Sequence, residues 1–180
     1  MKLSVLCLAL IISTSAKAEA PEPSSTLRAI AAADARDRDG PPSTLDAPKI
    51  APRDAERRRL VKEIMSRGEV RAAEDFFNAA LIFQHGETPD DFRLAYALVT
   101  IASAMTPDRI GPKAAACSAW DRLLVSLGRP QWYGTQFIPS KVPGKFELAP
   151  VDETAVTDEE RKSRGVPILQ ESRENAARFN

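Results

Sequence analysis

The chain is poor in the side chains that bind metals or attack carbonyls. Among its 180 residues there is one histidine, His85, and there are two cysteines, Cys7 and Cys117. That is too few ligands for a closed zinc site, so no metal and no cofactor are expected. The G-x-S-x-G pattern of a hydrolase nucleophile is missing. Charge has no excess sign, with 25 basic and 25 acidic residues. Without a basic stripe interleaved with aromatics, the footprint of a nucleic-acid binder is absent. The triplet Arg57-Arg58-Arg59 is flanked by Asp54, Glu56 and Glu63, which reads as a solvated helix face.

Only one long apolar run is present, and it lies at the start. MKLSVLCLALIISTSAKAEA has an early lysine, an apolar stretch from Leu3 to Ile12, and Ala16-Lys17-Ala18 in the form signal peptidase accepts. Residues 1–18 are therefore expected to be a signal peptide, with no membrane span in the mature chain and export to a periplasm or beyond. Cleavage would remove Cys7 and leave Cys117 alone. In AAACSAW that cysteine is expected to pack as a small hydrophobe.

Residues 19–52 are rich in Pro, Ala, Ser and Asp. With few large apolar side chains to offset the entropy of ordering, they are expected to form a flexible linker, with a transient turn of helix at 27–35. A single helical domain is expected over 53–172, with 173–180 as a frayed tail. The predicted fold is mainly α: a small antiparallel four-helix core, then an extended or hairpin segment and one short helix.

The spacing of apolar residues predicts helices at about 54–67, 71–85, from Thr88-Pro89 to about 105, and from Gly111-Pro112 to about 127. Gly68, Gly86 and Gly128 fall where a left-handed C-terminal residue is wanted. The third helix carries two apolar stripes, one through Phe92, Ala95, Tyr96, Val99 and Ala102, the other through Leu94, Leu98, Ile101 and Met105. It belongs at the centre of its bundle. QFIPS and KFELAPV flank a turn, and Thr157-Asp158-Glu159-Glu160 opens a short helix as a capping box that closes near Gly165.

After the fourth helix comes RPQWYGTQF, residues 129–137. This run of aromatic, amide and hydroxyl groups either reads a ligand or plugs one end of the bundle. Short connections favour antiparallel neighbours, so the second and fourth helices should end at the same pole. That placement gathers Gln84, His85, Gln131, Tyr133, Thr135 and Gln136. Asp121 shares a stripe with Cys117 and Leu124, and is expected to be partly buried. Its partners would then be Tyr133 or the amides of residues 134–136. Arg122 points about 100° away from it.

DFFNAALIFQHGETPDDFRLAYAL and AWDRLLVSLGRPQWYGTQF, with the ending PVDETAVTDEERKSRGVPIL, resemble an uncharacterised bacterial family marked by QH and YGTQ motifs. The resemblance runs from about Arg58 to Glu171. It implies that the motif residues are Gln84, His85, Asp121, Arg122, Gln131, Tyr133, Gly134, Thr135 and Gln136, but it brings no activity with it. Relatives often carry a second histidine where this chain has Tyr96, so a two-histidine metal or proton-shuttle site is not general.

Two functions are set against each other. The first is an exported helical binding module with a polar-aromatic site at one end of the bundle, taking a peptide, a glycan or another cell-envelope protein. Its ligand residues would be Gln84, His85, Arg122, Gln131, Tyr133, Thr135 and Gln136. The alternative is a small hydrolase or transferase with His85, Asp121 and Tyr133 as catalytic candidates. The missing nucleophile favours the first.

Overall fold

The computed structural model describes residues 20–40 and 45–178. The expected signal peptide lies outside them. Seven helices and one hairpin are present among the described residues: α1 Ser25–Asp37, α2 Ala47–Ser66, α3 Ala73–Gln84, α4 Pro89–Met105, α5 Ile110–Ser126, β1 Phe137–Pro139, β2 Phe146–Leu148, α6 Asp158–Arg164 and α7 Leu169–Arg178. The fold is mainly helical. β1 and β2 pair antiparallel, with Phe137 opposite Leu148. No described helix is long and apolar enough to cross a membrane.

α4 lies between α3 and α5, as its two stripes require. Its residues Ala95, Leu98 and Val99 are buried with Val61, Ile64, Ala79, Ile82 and Phe83 in one core. The second stripe is covered only in part, because Ile101 and Met105 are 41% and 45% exposed. The start of α4 follows its sequence signals. Thr88 caps it by accepting a hydrogen bond from the Asp91 amide at 3.1 Å, and Pro89 follows as the first helical residue. Burial pushes the Asp91 carboxyl up. The Thr88 hydroxyl and the amides of Glu87 and Thr88 outweigh burial and hold it below its usual value.

Gly86 departs from its expected role. It is not among the glycines of positive φ, unlike Gly68 and Gly128. What it needs is space, since a Cβ there would lie 2.4 Å from the Cβ of Asp91. The turn between α3 and α4 closes against the cap itself.

The linker expectation is corrected over most of its length. Residues 25–37 are a capped helix, and Leu27 is fully buried within the main core. α2 begins at Ala47, ahead of the expected boundary at 53, and accommodates Pro52 within its run. Apolar contact does not hold α1 alone, which is why hydrophobicity missed it. Asp75 on α3 accepts from the Ser24 amide at 2.7 Å, and it also accepts from Arg71 and Ala72 at the start of its own helix. At the other end of α1, Asp34 pairs with Arg38 at 2.7 Å and Asp37 pairs with Arg57. Asp54 on α2 completes the cluster by binding Arg57 at 2.8 Å and also Arg38.

Two further expectations change. Of the arginine triplet only Arg59 is largely solvated. Arg57 is 8% exposed, and Arg58 donates to the His85 carbonyl at 3.2 Å. The tail does not fray at 173, because α7 continues to Arg178, with Ser172 buried and Arg173 paired to Glu153 at 2.5 Å.

Leu27→Ala is expected to cost about 2–4 kcal/mol, the range for emptying a packed leucine site. Chemical denaturation checks this, and a change near zero would restore the linker reading. The depressed Asp91 carboxyl stabilises the fold above its unfolded value of about 3.9, and this contribution is lost as pH falls through the lower folded value. Asp91→Asn should therefore flatten the acid limb of the stability–pH curve measured by thermal unfolding.

Candidate functional site

The loop after α5 is held from both sides by charge. Asp121, fully buried on α5, accepts from the amides of Trp132 at 2.8 Å, Tyr133 at 3.0 Å and Thr135 at 3.0 Å, and from the Thr135 hydroxyl at 2.8 Å. Arg161, 2% exposed on α6, donates to the carbonyls of Trp132 at 2.7 Å and Tyr133 at 3.3 Å. The peptide group joining Trp132 to Tyr133 thus gives its N–H to a carboxylate and its C=O to a guanidinium. Ionised partners make such hydrogen bonds about twice as strong as neutral ones. Loop amides were expected as partners of Asp121, and those of Tyr133 and Thr135 serve, joined by Trp132; burial is complete where it was expected to be partial. Arg161 carried no sequence signal beyond its place in a charged helix.

The amide side chains complete the loop. Gln131 is fully buried, donates to the carbonyls of Gln136 and Ala149 at 2.9 Å each, and accepts from the Gln136 amide at 2.8 Å. The Gln136 carboxamide oxygen accepts from Arg122 Nε at 3.0 Å, and its nitrogen contacts the Ser118 carbonyl and Thr135. Gly134 turns the chain at φ 79°, and a Cβ there would come 3.3 Å from Ser172 Oγ.

Arg122 joins the loop to α3. Its Nη1 donates to the Gln84 carbonyl at 2.7 Å, which brings the C-terminal ends of α3 and α5 to one pole. Burial, together with the nearby Arg38 guanidinium, lowers the pKa of Arg122. His85 follows Gln84 but turns to the N-terminal cluster, where its Nδ1 lies 2.9 Å from Asp34 Oδ2. No hydrogen bond among the described residues joins His85 to Asp121 or Tyr133. His85 is thus partnered with Asp34, apart from Asp121 and Tyr133, which are joined to each other through the Tyr133 amide.

Of the expected ligand residues, then, Gln131, Thr135, Gln136 and Arg122 spend their polar groups inside the protein, and Gln84 contributes a carbonyl to the same network. Tyr133 is different. With Trp132 it lines an open cleft of about 480 Å³. Tyr96, Thr100, Ser103 and Ala104 of α4 form one wall, and Ala116, Cys117 and Trp120 of α5 form the floor beside them. Arg164, at the end of α6, lies at the rim. The rings form a chain: Tyr96 to Trp120 at 5.1 Å between centroids, and Trp120 to Trp132 at 5.0 Å in an edge-on pair. Among the described residues, the buried indole N–H of Trp120 has no hydrogen-bond partner. Among the described lining residues Arg164 alone is charged.

Ionisation leaves that charge uncompensated within the lining. Burial pushes the Cys117 thiol up to about 12. Burial likewise raises the Tyr133 phenol, whose hydroxyl donates to Glu160 at 3.2 Å. Both groups are neutral at ordinary pH. The aromatic spacing from 96 to 120 to 132 spans two helices and a loop, so the sequence alone did not assemble the cleft. The clue was Trp120, which has the helical spacing of a core residue but is only half-buried.

Comparison of the chain with protein-family models, curated proteins and solved structures found no match in any of the three.

Asp121→Asn is expected to destabilise the fold by about 2–4 kcal/mol, because the new NH₂ faces backbone donors that lose their acceptor in a buried site. Urea unfolding measures the loss. A change under about 0.5 kcal/mol, the scale of an ordinary surface substitution, would mean that the loop does not depend on this carboxylate.

Proposed function

We propose that this chain is an exported helical binding module, and that its ligand site is the cleft faced by Tyr96, Trp120, Trp132 and Tyr133. The cleft carries the reading. Its volume, about 480 Å³, falls in the range of small-ligand sites, which are largely apolar and aromatic with a few placed polar groups. A rigid loop supports this role, since a site held by buried charge is ordered before the ligand arrives. The residues expected to bind ligand through amides instead brace the backbone on which Trp132 and Tyr133 stand.

The ligand class follows from the wall. Aromatic rings accept the apolar faces of sugar rings and of aromatic side chains, and the Thr100 and Ser103 hydroxyls offer polar contacts beside them. A glycan unit or a peptide end group suits this chemistry. Export belongs to the same proposal and rests on the pattern of residues 1–18. So does membership of the bacterial family marked by the QH and YGTQ motifs.

Titrating the protein with a panel of mono- and disaccharides and short aromatic peptides, followed by tryptophan fluorescence, tests the reading. Wild type should give saturable binding to at least one class, and Trp132→Ala should weaken it about tenfold, the loss expected of a central aromatic contact. Cooperative unfolding should persist in the variant, because the clamp uses the main chain at 132. No saturable binding across the panel, or unchanged binding after Trp132→Ala, would remove the cleft as the site.

A further inference from the structure

The charge pattern of the cleft narrows its ligand. Tyr96, Trp120 and Trp132 supply ring surface, and among the described residues the Trp120 N–H has no acceptor. No carboxylate lines the cleft among the described residues, and its one ionised group is the Arg164 guanidinium. A cationic ligand would meet that guanidinium with no acid in the described lining to offset it, since Glu160, 3.8 Å from Arg164, stands outside the lining. A ligand bearing an anion would be attracted.

Arg164 is also free to act. Its nearest carboxylate oxygen is Glu160 Oε1, at 3.8 Å from Nη2, and its side chain is 46% exposed. That separation is beyond hydrogen-bond length. The same Glu160 oxygen is engaged more closely by the Tyr133 hydroxyl, at 3.2 Å. The guanidinium fork, which suits bidentate pairing with a carboxylate, is therefore not consumed by the fold. This sets it apart from Arg161, three residues earlier, whose guanidinium nitrogens donate to the Trp132, Tyr133 and Val156 carbonyls and to Asp158.

We infer that the cleft takes a ring compound bearing a carboxylate, its ring against the Trp120–Trp132 wall and its carboxylate on Arg164. This rests on the binding-module reading and adds the charge of the ligand to it. A uronic acid and an aromatic acid share that chemistry. Glu160 is the built-in competitor, close enough to reduce the attraction of Arg164 for a second carboxylate.

Matched acids and amides test the charge apart from the ring. Galacturonate against galacturonamide, and indole-3-carboxylate against indole-3-carboxamide, are titrated into the full chain and followed by ligand-observed NMR. At least one acid should bind about tenfold more tightly than its amide, the scale of one charge-assisted pair. Which pair shows the preference tells a sugar acid from an aromatic one. R164Q should abolish the preference, R164K should keep part of it, and E160Q should enlarge it several-fold.

Equal binding of acid and amide, or a preference that survives R164Q, overturns the carboxylate assignment. Binding that remains sensitive to Trp132→Ala would in that case leave the cleft itself standing. Failure of both acids while other ring compounds bind through Trp132 overturns it equally. Absence of any ring binding removes the cleft reading and this inference together.

Discussion

A single peptide group, suspended between a buried carboxylate and a buried guanidinium, organises one end of this protein. The group joining Trp132 to Tyr133 donates to Asp121 and accepts from Arg161. A main-chain amide and carbonyl removed from water must find partners, and here the partners carry full opposite charges. Each ion in turn has its desolvation offset by several hydrogen bonds, as burial of charge requires. α5, the loop and α6 are thereby fixed relative to one another.

Arg122 extends the same logic to α3. Helices α3 and α5 finish at one pole, where each presents carbonyls without intrahelical partners and the negative end of its dipole. A guanidinium lying between them, bound to the Gln84 carbonyl and to Gln136, relieves that crowding. The N-terminal arm is attached by a separate cluster, in which Asp34, Asp37 and Asp54 alternate with Arg38 and Arg57 and reach His85. Apolar packing builds the core, to which Leu27 of α1 and Val61 and Ile64 of α2 also belong, and ionic contacts add to the attachment of the N-terminal arm.

That division explains how much could be read from the residues alone. The core helices were legible because their signals are local: Thr88-Pro89 opens α4, Gly68 and Gly128 close their neighbours, and apolar spacing marks the buried faces. The Asp121 contacts were legible too, since a carboxylate on an apolar stripe must find donors nearby. α1 was not legible. Its DARDRD segment looks solvated, and only the fold shows that acids and arginines far apart in the chain neutralise one another. The role of His85 was obscured for the same reason, because its partner, Asp34, lay in a segment read as unstructured. The aromatic cleft depends on the rotation of α4 against α5, which spacing within either helix does not specify.

The clamp acts on atoms that every amino acid possesses. Asp121 and Arg161 grip the main chain at 132 and 133, while the indole and phenol at those positions project into the cleft. Scaffold and cleft lining are thus written in different parts of the same two residues. Substitution at these sites can change the lining without loosening what holds the loop. The arrangement therefore leaves selection free to reshape the cleft one side chain at a time, with the frame beneath unchanged.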